Sequence, residues 1–262
     1  MPLTVARLSS GLSTARTPQD LFGNFPKPFL VPANYYENDF NTYAAADWTV
    51  APATGTSALT AALGGALLLT TGAVSGNGQG NALTPVSMGF NPGYQTWFAI
   101  NILLADNSNP NWIVGLTAGG ANAPTSGVYF TKATAVRTVN LVLNKAGTLT
   151  TIALPGSPAQ DATALALGIY YDGKGTANLY GYSSSGLTAS GVAAPLPTAF
   201  GAPPIYGGAR VVSASSDGLN ANPLTNLPTV NLQPSFFVQT NTALAKTMQV
   251  DYVVAACEIN RF

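Results

Sequence analysis

Residues 97–106, WFAINILLAD, put Phe98, Ile100, Ile102 and Leu104 on one side and Trp97, Ala99, Asn101 and Leu103 on the other. Alternation with period two is the signature of a β-strand, since successive side chains leave a pleated backbone in opposite directions. The segment TMQVDYVVAACEI (247–259) repeats the pattern, with Met248, Val250, Tyr252 and Val254 against Gln249, Asp251 and Val253. Shorter runs share the composition of strands and are bounded by turn residues: GGALLLTTG, NWIVGL, GVYF, NLVLN, TLTTIAL, ARVVSA and SFFVQT. No sustained 3.6-residue apolar period competes with them. The pattern predicts an all-β chain of about ten to twelve strands, spaced as in an antiparallel β-sandwich.

Turn chemistry agrees. NLVLNKAGTLTTIAL (140–154) reads as a hairpin closed around Lys145-Ala146-Gly147. In LGIYYDGKGTANLYGYSS (167–184), Asp172-Gly173-Lys174-Gly175 separates two aromatic runs and supplies residues that tolerate positive φ. A calcium loop would need acidic or amide ligands at alternate positions and a closing Glu, which this loop lacks. It reads as a turn.

Hydrophobic residues make up 47% of the 262, ample for a core, whereas charged residues are 8% against about 25% in ordinary domains. Ten Lys and Arg balance ten Asp and Glu, so nothing marks a surface for nucleic acid or an anionic membrane. Zero net charge favours association and suits a protein that works inside an assembly. No charge lies between Asp47 and Asp106 or between Lys174 and Arg210. The regions near 48–96 and 183–234 therefore read as long uncharged loops around a few short strands, with surface for contacts. The uncharged stretch 48–105 is interrupted too often by Gly, Asn, Gln, Thr and Pro to span a membrane. The start, MPLTVARLSSGLSTARTPQD, lacks the apolar centre of a secretory signal. Cys257 is the only cysteine; it excludes an intrachain disulfide and reads as a small buried apolar residue.

Residues 1–34 hold Pro18, Pro26, Pro28 and Pro32 interleaved with Phe22, Phe25 and Phe29. Proline extends the backbone and cannot donate to a ladder, so this is an extended arm with apolar groups to bury. It is a strap over its own domain or an arm reaching a neighbour; Phe22, Phe25 and Phe29 are taken as assembly contacts. Residues 35–262 form the sandwich domain.

The absence of histidine removes Ser-His triads, Cys-His dyads, histidine metal sites and the commonest general base. GNGQGNAL lacks the spacing of a phosphate-binding loop. In YYENDF, Glu37 and Asp39 are two apart and would share a face if this is a strand. ADNSNPNW (105–112) gathers Asp106, Asn107 and Asn109 beside Trp112, a candidate glycan or ion loop made of ordinary loop-forming residues. No catalytic residue, metal site or cofactor is assigned.

The order YYENDF, GGALLLTTG, TWFAINILL, NWIVGL, GVYF, VLNKAGTLTTIAL, LGIYYDGKGTANLYGY and AKTMQVDYVVAACEI resembles a concanavalin A-like (laminin G-like) jelly roll over about residues 35–259. More narrowly it resembles the jelly-roll structural proteins of tailed bacteriophages. That resemblance implies a capsid decoration or cement protein on the virion surface, made in the bacterial host cytoplasm. Its partner would be the major capsid protein, and its state a homo-oligomer, dimer or trimer, without cofactor, nucleic acid, membrane or catalysis. A glycan-binding module of a tail fibre or spike is the alternative, and a glycosidase comes third. Glycosidases of the laminarinase type carry a further acid where Phe40, Asn41 and Thr42 stand here, and lectin-type relatives bind calcium through clustered carboxylates that this chain lacks.

Overall fold

The computed structural model describes residues 33–60, 65–84, 86–154, 159–171, 173, 179–183, 210–214 and 226–258. They form β1 (Ala33–Asn38), a 3-10 turn (Ala45–Asp47), β2 (Trp48–Ala53), β3 (Thr56–Thr60), β4 (Ala66–Thr70) and β5 (Gly78–Leu83). There follow β6 (Thr96–Leu104), β7 (Asn111–Ala118), β8 (Ser126–Lys132), β9 (Asn140–Lys145) and β10 (Thr148–Ala153). The last are β11 (Leu165–Tyr171), β12 (Leu179–Ser183), β13 (Arg210–Ala214), β14 (Gln233–Gln239) and β15 (Thr247–Glu258). Two antiparallel sheets result: sheet A runs β13-β12-β11-β6-β15-β4-β3 with β1 also on β15, and sheet B runs β10-β9-β8-β7-β14-β5-β2. Among the described residues no helix is long and apolar enough to cross a membrane.

The sandwich is the expected one, with more strands than expected. β2, β3 and β5 fall in the region near 48–96 that reads as loop. β2 and β3 are the edges of their sheets, and β2 carries Pro52 and a break in register. In β5, GQGNAL, the polar side chains are the inward ones: Asn81 stands opposite Phe236 and Gln79 opposite Val238. Asn81 donates to the Tyr43 hydroxyl at 2.8 Å and accepts from Ser57 at 2.8 Å, while Gln79 donates to Ser57 at 2.9 Å. Gly80 is outward, and a Cβ there would sit 2.5 Å from the Ala51 carbonyl oxygen. A strand with amides inside and glycines outside inverts the usual hydropathy code.

The two alternating segments form the centre of sheet A. Phe98, Ile100, Ile102 and Leu104 enter the main core, packed with Trp112, Val114, Leu116, Phe130 and Phe236 of sheet B. β15 departs from simple alternation. Its register against β6 slips between Val250 and Tyr252, a β-bulge in which Asp251 is the extra residue. Met248 and Val250 point into the core before the slip, and Val253, Ala255 and Cys257 after it. Tyr252 and Val254 thus do not continue the Met248–Val250 face. The slip lies where the neighbour of β15 changes from β4, paired with Thr247–Val250, to β1, paired with Val253–Glu258. Cys257 is buried as expected, 3% exposed.

Both expected hairpins are present. Ala146 and Gly147, at φ 50° and 88°, link β9 to β10 with Lys145 opposite Thr148, the pair of positive φ angles that a two-residue hairpin turn needs. β11 pairs with β12 from Tyr171↔Leu179 onward, so seven residues connect them. Asp172 and Lys174 lie outside the described residues. Gly173 has φ 75°, and a Cβ there would come 2.7 Å from the Tyr94 backbone, which explains glycine at this point of the turn. The expected arm overlaps β1 at Ala33 and Asn34; Phe22, Phe25 and Phe29 lie outside the described residues.

Candidate functional site

The loop 105–110 joins β6 to β7 and crosses one end of the sandwich. The candidate residues Asp106, Asn107, Asn109 and Trp112 do come together there, with charged groups from four other segments. One Asp106 oxygen accepts from the Ser108 amide at 2.8 Å and the Ser108 hydroxyl at 2.6 Å; the other accepts from Asn109 Nδ2 at 3.0 Å and Lys246 Nζ at 2.5 Å. Partial burial works to raise the Asp106 pKa, but the bonds from Lys246, Ser108 and Asn109 outweigh it and hold the carboxyl far below its ordinary range. Asn107 is 2% exposed and fully engaged: its amide donates to Asp161 at 2.6 Å and its side chain to the Gln160 carbonyl at 2.6 Å. Its Oδ1 accepts from Trp112 Nε1 at 3.2 Å. The Asn109 carbonyl receives Asn241 at 3.1 Å and Thr134 at 3.3 Å. Arg137 grips Asp161 through both terminal nitrogens, at 3.2 and 2.5 Å.

Lys132 is the member that residue-by-residue reading missed. It follows Val128 and Phe130 on the inward face of β8 and is 0% exposed. Its ammonium donates to the carbonyls of Pro110 at 2.8 Å and Ser108 at 3.5 Å. Burial pushes its pKa down to about 8, against the pull of Asp106 and Asp161. A lysine at an inward position of an alternating strand was the available signal.

The cluster is therefore a polar clasp in which the chain satisfies its own donors and acceptors. A cation at Asp106 would compete with the Lys246 ammonium. Among the described residues no group of three or more His, Cys, Asp or Glu could hold a metal ion.

Glu37 and Asp39 do not form a face. β1 ends at Asn38, and the chain turns at Phe40, whose φ is 52°. Glu37 is exposed on sheet A and accepts from the Tyr35 hydroxyl, while Asp39 is spent on Asn41, accepting Nδ2 at 2.6 Å. Burial first, then Glu37, pushes the Tyr35 hydroxyl pKa well above its ordinary value.

The sheet faces differ in chemistry. The seven strands of sheet B contain no Asp, Glu or Arg, and their only charges are Lys132 and Lys145. Sheet A carries a second apolar cluster on its outer side: Trp97, Tyr170, Val254 and Ala256, with Tyr35 packed against it.

No family model and no curated protein matches the sequence. Solved structures do match in fold. Peanut lectin superposes with a TM-score of 0.53 at 8% identity, over 88% of this chain and 99% of the lectin. A prokaryotic β-1,3-1,4-glucanase (lichenase) from a mouse hindgut metagenome gives 0.54 at 10% identity, over 85% and 98%. A Shewanella oneidensis MR-1 protein of unknown function gives 0.51 at 11% identity, over 87% and 88%. At these identities the likeness concerns architecture: the chain has the concanavalin A-like jelly-roll fold that lectins and glucanases share.

Proposed function

We propose that this chain is a non-enzymatic structural module, a decoration or cement protein that binds the outside of an assembled phage head as a homo-oligomer. The observation that carries the non-catalytic part is the carboxylate-free sheet B. Glycoside hydrolysis on a jelly roll needs two carboxyl groups about 5–9.5 Å apart across the bound sugar. The strands of sheet B offer none; on sheet A, Glu37 and Asp39 are separated by the end of β1, while in β15 Asp251 accepts from Asn101 at 3.1 Å and Glu258 from the Gln95 amide at 2.7 Å. The structural part is supported by the near absence of charge and by the resemblance to phage jelly-roll proteins. A module of this kind binds the assembled shell and not its separate subunits, so mass action stabilises the shell. Each contact needs only ordinary interface size, about 1,600 Å² in total, because oligomeric copies add avidity.

The test is DNA release on heating, for particles lacking the protein and for the same particles with purified protein added back. Decorated particles are expected to hold DNA to a higher temperature, and identical release curves would remove the reading. Occupancy is also expected to change little between low and physiological ionic strength, since few charges are available to be screened.

The lectins among the fold neighbours favour carbohydrate binding, as on a tail fibre or spike, as the second reading. A glycan-array screen separates the two. Binding to a defined glycan, with no effect on particle melting, would put that reading first.

A further inference from the structure

Sheet A ends in an edge that the chain leaves open. β3, TSALT, pairs with β4 from Thr56↔Thr70 to Thr60↔Ala66, and among the described residues no strand lies on its other side. Backbone parity identifies the groups that face outward. The Thr71 amide donates to the Lys246 carbonyl at 2.9 Å. Hydrogen-bonding direction alternates along a strand, so Leu69 and Leu67 also turn their backbone to β15, whereas Thr70, Leu68 and Ala66 turn theirs to β3. Those three stand opposite Thr56, Ala58 and Thr60. The N–H and C=O groups of Ser57 and Leu59 therefore point out of the sheet edge, and they have no partner among the described residues.

The side chains leave the same edge open. Thr56 and Ala58 are exposed, and Leu59 is 44% exposed although it stands opposite the core residue Leu67 and so faces inward. Val50 of β2, opposite the inward Asn81, is 36% exposed on the same flank, where the Ser57–Asn81 bond ties the two sheets together. Proteins guard free edges with charge, proline, a bulge or a covering segment. β2 has Pro52 and a break in register, and Asn226 lies along β10, donating to Thr150 at 2.8 Å. β3 has no charge, no proline and no break.

We propose that β3 is a dimer interface: β3 of a second copy pairs with it antiparallel about a two-fold axis at Ala58, joining the two copies of sheet A into one continuous sheet. The strand is its own complement. In this register Ser57 of each copy stands opposite Leu59 of the other, so every outward N–H meets an outward C=O. Ala58 faces Ala58 as a non-hydrogen-bonded pair, where Cα atoms approach to about 4.5 Å and small side chains fit. Thr56 falls opposite Thr60, and no like charges meet. The neighbouring strand also covers the half-open Leu59. An unrelated partner would have to supply a matching strand, whereas a second copy supplies it by symmetry, and zero net charge sets up no repulsion between copies. The inference gives the homo-oligomer proposed above an interface and stands without the capsid role.

The test is the mass of the full-length chain in solution by sedimentation velocity. It needs no capsid, so a failure here and a failure of particle melting are separate results. The wild type is expected at twice the chain mass. Ala58 is exposed and its backbone bonds within the chain, so Ala58→Lys and Ala58→Glu keep the fold while placing like charges opposite each other across the axis. Each variant alone should sediment as a monomer, and an equimolar mixture should regain the dimer. Ala58→Cys should form a disulfide-linked dimer on oxidation, since a separation of about 4.5 Å lies within the Cα range of a disulfide. Leu149→Cys, at a 55% exposed position on β10, should not. A monomeric wild type, an oligomer that Ala58→Lys leaves intact, a mixture that stays monomeric, or Leu149→Cys linking as readily as Ala58→Cys would overturn the proposal.

Discussion

Two regions of this sandwich bury polar groups by different means. At the end capped by residues 105–110, Asp106, Lys132 and Lys246 meet beside the surface pair Arg137–Asp161, and charge is answered by charge or by backbone carbonyls. On the β3–β5 flank, Gln79, Asn81, Ser57 and Tyr43 meet between the sheets with no charge at all. The clasp draws together segments far apart in sequence and closes nearly every bond. The amide network is less complete: Gln79 Oε1 is buried with no partner among the described residues. Charge attracts attention in a sequence with so little of it, yet in both places polarity builds the fold. A cluster of polar residues becomes evidence for a ligand only when its groups are left unsatisfied.

Substitutions can break this contrast, and the largest effect is expected in the clasp. Asp106→Ala strands the Lys246 ammonium, whose side chain is 13% exposed, and frees the Ser108 amide, for a loss of about 2–4 kcal/mol in urea unfolding. The pH dependence has a definite sign. The folded-state pKa of Asp106 lies below its unfolded value of about 4, so its contribution is complete above that pH and fades as pH falls further. The stability gap between the wild type and Asp106→Asn should therefore shrink between about pH 5 and pH 2. A constant gap would mean that the carboxylate is not held in the clasp.

Asn81→Leu comes next. It removes the bonds that Asn81 accepts from Ser57 and donates to Tyr43, for an expected loss of about 2 kcal/mol. A loss as large as that of Asp106→Ala would erase the difference between the regions.

Lys132 tests the clasp from the alkaline side. Its folded pKa of about 8 lies below the unfolded value of about 10.4, so burying the cation costs stability below pH 8 and the cost disappears as pH rises towards 10. Relative to Lys132→Met, the wild type should gain roughly 1–2 kcal/mol between pH 7 and pH 10. A flat difference would show an ammonium still in contact with water.

The smallest effect belongs to Gln79→Met, which removes an orphan acceptor together with one bond to Ser57 while keeping the side-chain volume. The change should stay within about 1 kcal/mol in either direction. A greater loss would mean that the orphan oxygen is satisfied, by a buried water for example.

Much of the architecture was legible before any coordinates. Alternation in β6, the first half of β15, the turn at Ala146-Gly147 and the absence of any helical period identify the antiparallel sandwich, because each is a property of a few neighbouring residues. β5 was not legible. Its amides face inward because Ser57 and Tyr43 come to meet them from 22 or more residues away, and its outward glycines stand where Ala51 crowds Gly80 and Phe237 crowds Gly78. The faces of β15 after Asp251 were hidden for a related reason: a bulge is needed only once β4 gives way to β1 alongside.

For the candidate site the division is the same. Residue types alone were enough to exclude histidine chemistry and an intrachain disulfide, since those exclusions need no geometry. They also brought Asp106, Asn107, Asn109 and Trp112 into view as a group. Only the tertiary structure brought Lys246, Lys132 and Asp161 to that group and separated Glu37 from Asp39 by ending β1 between them. Only it showed that Trp97, outward by its alternation, is shielded from water. Local pattern sets which way a side chain leaves its strand; what it meets there depends on segments tens of residues distant.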